Sequence, residues 1–145
     1  NVIHSAAGPR LRDDCAAIMN KQGNNEPTGY AKITKGYALP ANYVLHTVGP
    51  QLCPNSTPTP LQEKQLENAY LSCLNVASEV AEIRSLAFCA ISTGVFSYPK
   101  ILAAKTALTV VANWLEQNPN RFDHIVFNLY SEADAEVYRE ILNDW

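Results

Sequence analysis

An α/β domain of three layers, with helices on both faces of a mixed, mainly parallel sheet, is the fold this sequence predicts. Three observations carry that expectation. From Tyr43 onward strand and helix segments alternate, which implies crossover connections of the right-handed kind. The strand segments 43–48, 85–90 and 124–130 are short apolar runs with little alternation, the pattern of strands covered on both faces. Between them, 61–83 and 99–117 carry apolar residues at helical spacing, as in the stripe Leu66, Ala69, Tyr70, Leu74 and Ala77.

The elements follow in order. Val2 to Gln22 reads as a helix whose apolar face runs through Ile3, Ala6, Ala7, Leu11, Cys15 and Ile18, interrupted or restarted at Gly8-Pro9. Lys21 to Gly29 is a polar loop, and Tyr30 to Tyr37 alternates like a short edge strand. Gly49-Pro50 ends the Tyr43 to Val48 strand, and a proline-rich loop follows to Pro60. Pro99 suits the first turn of the helix reaching Gln117. Ser131 or Glu132 starts a last helix that continues to Leu142.

Size and composition bound the function. The chain has 145 residues, 47% hydrophobic and 17% charged, which suits one compact globular core. No apolar run is long enough to cross a bilayer as a helix, and the N-terminal residues lack a secretory pattern, so no membrane partner is expected. Eleven basic and 14 acidic side chains leave a formal charge of −3 with no basic run, so no nucleic-acid partner is expected and any polyanion must be held locally. The four cysteines, Cys15, Cys53, Cys73 and Cys89, show no metal-knuckle spacing. Cys73 and Cys89 read as small buried thiols, and a reducing cytoplasm fits this usage.

The chemistry concentrates in Ile91-Ser92-Thr93-Gly94-Val95-Phe96, which follows the strand Leu86 to Ala90 and precedes the helix at Pro99. A strand that passes through a small glycine-containing loop into a helix can aim several backbone N–H groups at one point, and a phosphate suits that point. The same wording also fits an ordinary strand-to-helix turn. In an open α/β sheet ligands sit at the carboxyl ends of the strands, which places Gly49, Ile91 to Phe96, and Asn128 to Tyr130 on one rim. A glycine loop and an aromatic at the next strand end would hold a nucleotide diphosphate with its base stacked. Phe96 lines a ribose, caps the cleft or packs in the core, and Tyr130 either stacks on the base or covers the last helix. His4, His46 and His124 lie far apart in sequence without convincing partner carboxylates and read as structural. Asp13-Asp14 reads as a solvated helix face, and Trp114 and Trp145 as packing residues.

These segments resemble the macrodomain family, whose members bind ADP-ribose. The likeness is carried by Val2-Ile3-His4-Ser5-Ala6-Ala7-Gly8-Pro9, by Pro27 to Tyr37, by Leu39-Pro40 with Tyr43 to Pro50, and by Ala90 to Phe96. Finer wording is similar to the zinc-dependent microbial branch associated with sirtuin-type ADP-ribosyltransferases: Phe88 to Gly94, Ser72-Cys73-Leu74-Asn75, and Phe127-Asn128. The resemblance implies ADP-ribose binding by Ile91, Ser92, Thr93, Gly94, Val95, Phe96, Asn128 and Tyr130. It implies zinc as a cofactor, with ligands that this chain does not carry, since Cys15 is not at a ligand position. Catalytic residues are unknown within the chain and are expected in an upstream loop.

The family's first strands, its adenine-contacting Asp, its Asn-rich loop and the zinc branch's Cys and His loop have no counterpart here. Residues 1–145 are therefore expected to be the C-terminal portion of a single macrodomain, with an N-terminal fragment of the same protein as a partner. The function that the resemblance implies is hydrolysis of mono-ADP-ribose from modified protein side chains, making a mono-ADP-ribosylated protein the other partner. Alternatives are a non-catalytic ADP-ribose reader, and an O-acetyl-ADP-ribose deacetylase or phosphatase.

Overall fold

The computed structural model describes residues 2–23 and 27–145, without the side chains of Val2 and Ile3. The middle of the predicted polar loop, Asn24 to Glu26, lies outside the described residues. Gly8, with φ of 89°, separates α1 (Val2–Ala7) from α2 (Pro9–Gln22), so the predicted interruption falls at the one residue that tolerates this backbone. Then come β1 (Ala31–Lys35), β2 (Tyr43–Thr47), α3 (Pro60–Ser78), β3 (Ser85–Phe88), α4 (Lys100–Gln117), β4 (His124–Phe127) and α5 (Glu132–Asn143). No helix among the described residues is long and apolar enough to cross a membrane.

The expected α/β fold with a mixed sheet is present, and its strands fall into two pairs. Among the described residues β1 and β2 form an antiparallel pair, β3 and β4 a parallel pair, and no hydrogen bond joins the two. α3 packs on β1, β2 and α4. Its capping box is complete, because Thr59 Oγ1 accepts from Gln62 N–H while Gln62 Oε1 accepts from Thr59 N–H. The stripe read from the sequence is buried as expected, through Leu66, Ala69, Tyr70, Cys73, Leu74 and Ala77.

Burial corrects several expectations. Along β3 and β4 one face is covered and the other is open: Leu86 and Phe88 are buried, Ile125 and Phe127 are half-buried, and Ala87 and Val126 are exposed. Apolar runs of this kind do not reveal whether a second layer exists. β2 is half-buried throughout, and β4 ends at Phe127 rather than at Tyr130. Cys73 is buried, but Cys89 is exposed because it lies one residue beyond β3, on its open side. Trp114 packs 5.2 Å from Phe122 and its Nε1–H donates to Asn75, whereas Trp145 is exposed just past α5. Asp14 is half-buried and accepts from the Tyr37 hydroxyl, so only Asp13 belongs to a solvated face.

Helix α3 ends earlier than its periodicity suggests, and Arg121 is the reason that end is stable. Its guanidinium donates to the carbonyls of Ala77, Ser78, Val80 and Ile83 at 3.3, 3.0, 2.8 and 2.6 Å. These include carbonyls that the last turn of a helix leaves unpaired. Arg121→Met is expected to cost about 3 kcal/mol, since charge-assisted bonds are lost while the carbonyls stay partly buried. Urea unfolding measures this; a loss below about 0.5 kcal/mol would show that water replaces the guanidinium.

Candidate functional site

Backbone geometry builds the site before any side chain does. Beyond Phe88 the chain turns through residues 91–96 and reaches α4 behind Pro99, which sits immediately before the helix. The turn is closed from within: Tyr98 N–H donates to Ser92 O at 2.9 Å, and Ser97 N–H donates to Gly94 O at 3.0 Å. Thr93 uses both its N–H and its hydroxyl on Ala90 O, at 3.4 and 3.0 Å. Ile91 N–H donates to the Tyr70 hydroxyl at 3.2 Å. The amides of Ser92, Gly94, Val95 and Phe96 donate to no acceptor among the described residues. Three of these four are consecutive, and free amides grouped in a turn form an anion-binding concavity.

The residues that shape this turn are not all those the sequence singles out. Gly94 does not occupy the left-handed region, and a β carbon there would meet nothing within 4 Å, so its hydrogen faces open space. The left-handed positions are Ser92 and Ser97, with φ of 68° and 62°. At Gly49 the requirement is space: a β carbon would lie 2.0 Å from Ser92 Oγ and 2.6 Å from Ile91 Cγ2. The sequence reads Gly49 as the end of a strand at the site's rim, but its contact with the loop is long-range and has no local signature. Ser92 Oγ is itself buried, with no hydrogen-bond partner among the described residues.

The three strand ends meet as expected. Gly49, after β2, abuts Ser92, and Asn128 N–H, after β4, donates to Phe88 O at 2.7 Å. Phe96 is half-buried, and its carbonyl accepts from Leu52 N–H at 2.8 Å, tying the loop to the segment after β2. Tyr130 is fully exposed at 103%, so its ring does not cover α5 and is free to stack. Asn128 is exposed beside it, and Val95 at 91% projects from the loop tip.

Charge lies near the rim without entering the turn. Lys100 Nζ is 2.8 Å from Asp134 Oδ1, joining the first turns of α4 and α5 beside Thr93 and Tyr138. The Lys100 ammonium, reinforced by the Ser131 hydroxyl, holds the Asp134 carboxyl below its ordinary range, although burial opposes it. A carboxyl depressed on folding contributes stability above its unfolded pKa, near 4, and loses it as pH falls through the folded value. Lys100→Met is therefore expected to be less stable than the parent at pH 7, with the difference shrinking toward pH 2. Urea unfolding across that range tests it; a pH-independent difference would assign the effect to the lysine's packing.

Among the described residues, His46 and His124 lie in different surroundings. His46 Nε2 is 2.9 Å from Thr34 Oγ1 and 3.9 Å from Cys15 Sγ, in a cavity of about 100 Å³ between α2 and the antiparallel pair. Burial pushes the His46 imidazole below its ordinary range. His124 is exposed at the start of β4. No group of three His, Cys, Asp or Glu side chains able to hold a metal exists among the described residues.

Comparison with known proteins gives a consistent picture. A family model described as Macro domain matches residues 1–107. A protein-ADP-ribose hydrolase of Treponema medium is 47% identical over 143 residues, covering 99% of this chain and 53% of the relative. The chain thus spans about half the length of such curated relatives. A solved macrodomain of Oceanobacillus iheyensis with ADPR superposes with a TM-score of 0.89 at 38% identity, covering 99% of this chain and 75% of that one. A Trypanosoma brucei macrodomain in complex with ADP-ribose gives 0.84 at 35% identity, covering 98% and 55%.

Proposed function

The chain belongs to the Macro domain family, and from that premise we propose that it binds ADP-ribose on the 91–96 turn and acts in removing mono-ADP-ribose from modified protein side chains. The observation that carries this reading is the set of unused amides at Ser92, Gly94, Val95 and Phe96. A diphosphate brings the acceptor oxygens those donors lack, and fixed N–H groups bind it without lysines. Ile91 and Thr93 hold the turn's shape, Phe96 borders the ribose that follows the diphosphate, and Tyr130 stacks on adenine with Asn128 beside it. Stacking adds about 0.5–1.5 kcal/mol beyond burial. The names of the hydrolase relatives support the reaction class.

In the reaction, water attacks the anomeric carbon of the distal ribose, the bond to the side-chain atom breaks, and a proton returns to that atom. This chain's share is to bind and orient: a diphosphate fixed at the strand ends holds the distal ribose in one place, and positioning of that kind lowers the barrier. The catalytic group and any zinc belong, in this proposal, to a longer macrodomain of which these residues are the C-terminal portion. The partial coverage of the relatives and the open face of β3 and β4 support that arrangement. Zinc, when bound, would polarise the ribose or its water. Its ligands would lie outside this chain. A cytoplasmic location is part of the same proposal.

The test is release of ADP-ribose from a mono-ADP-ribosylated protein, with and without a zinc chelator, using the protein with its upstream segment intact. Release establishes the hydrolase, and its loss on chelation establishes zinc. Binding without release would make the protein a reader; neither binding nor release would remove the site from the 91–96 turn.

A further inference from the structure

The switch from β3 into the free-amide turn is held on the α3 side by the Tyr70 hydroxyl. The ladder between β3 and β4 finishes with Asn128 N–H on Phe88 O, so the backbone of Cys89 to Ile91 has left the sheet. Tyr70, fully buried on α3, reaches that point. Its Oη accepts from Ile91 N–H at 3.2 Å and donates to Cys89 O at 3.4 Å, bracketing Ala90 from both sides. The next amide, at Ser92, is the first of the four that donate to nothing among the described residues.

We infer that Tyr70 is a positioning residue for diphosphate binding: its hydroxyl sets the direction in which the chain leaves β3 and so aims the amides of Ser92, Gly94, Val95 and Phe96. The inference rests on the reading of the turn as the diphosphate site. Ring and hydroxyl have separable roles, since the ring packs 5.3 Å from Phe88 and fills core volume, while the hydroxyl reaches backbone. Burial, with Tyr138 close by, pushes the phenol far above its ordinary range.

Tyr70→Phe keeps the ring and deletes the clasp, and the experiment compares it with the parent in the full chain, with ADP-ribose and phosphate-free adenosine as probes and amide exchange as a second readout. ADP-ribose affinity is expected to fall about tenfold with adenosine affinity unchanged, while the Ile91 amide, which donates to the Tyr70 hydroxyl, exchanges faster. Unchanged ADP-ribose affinity, or equal losses for both probes, would overturn the inference, because a general structural effect does not distinguish a ligand that reaches the turn from one that does not. Should the parent bind neither probe, the functional reading fails separately, and exchange still decides the clasp: an Ile91 amide protected in the parent and fast in Tyr70→Phe supports it, and no difference overturns it. If the variant does not fold, the parent's Ile91 amide decides, slow exchange supporting the clasp and fast exchange overturning it.

Discussion

Gly94→Glu is expected to abolish ADP-ribose binding while leaving stability unchanged. A β carbon at this position meets nothing within 4 Å, and the backbone lies outside the left-handed region, so a larger residue causes neither clash nor strain. What it changes is the charge beside the free amides of Ser92, Gly94, Val95 and Phe96. A carboxylate there takes up donors meant for the diphosphate and repels it. One pair of like charges about 4 to 5 Å apart, at the effective dielectric near a protein surface, costs about 3 to 4 kcal/mol, a loss on the order of 100-fold or more. Gly94→Gln has the same bulk without the charge and is expected to lose much less. Calorimetric titration of both variants, with their melting temperatures, checks this. Full affinity in Gly94→Glu would move the anion site away from the turn.

The geometry of the candidate turn was legible because its signals are local. A glycine loop between an apolar strand and a helix is a contiguous pattern, and the rim of strand ends follows from the strand and helix order alone. Gly8, the stripe on α3 and the Ser131 cap are likewise local, and Ser131 Oγ accepts from Asp134 N–H at 3.1 Å. What was hidden depends on partners distant in sequence. Tyr70 falls on an apolar helical stripe, so it reads as core; its ring is core, and only the fold shows that its hydroxyl meets Cys89 and Ile91. Arg121 has no periodicity to mark it, yet it caps the end of α3.

The misjudged burial has one physical source. Ile125-Val126-Phe127 is equally apolar whether one face or both are covered, so composition implied two covered faces where Val126 is exposed. Cys89 follows the same logic from the end of β3. The break between the two strand pairs was illegible for a related reason, since alternation of strands and helices specifies crossovers but not which strands exchange hydrogen bonds.

Gly49→Val separates the shape of the turn from its charge, and its expected effect is large on both stability and binding. The end of β2 approaches the turn so closely that any β carbon at Gly49 would sit 2.0 Å from Ser92 Oγ and 2.6 Å from Ile91 Cγ2. Neither distance is tolerable, and valine adds two methyl groups to the clash. Ser92 has little room to yield, because its carbonyl is bonded to Tyr98 N–H and its φ of 68° is already unusual for a side chain. Ile91 is held by Tyr70. The strain must therefore move the turn as a unit or part β2 from it, at a cost of about 2 to 3 kcal/mol by analogy with overpacked cores. ADP-ribose affinity falls with it, because the amides that follow Ile91 are carried out of line. Gly49→Ala should lose less on both counts in the same direction, and the paired losses distinguish this variant from Gly94→Glu, which loses binding alone. Thermal unfolding and titration of the two Gly49 variants measure them together. Parent-like affinity in a destabilised Gly49→Val would mean that the cradle tolerates displacement, and that Gly49 serves packing rather than the aim of the amides.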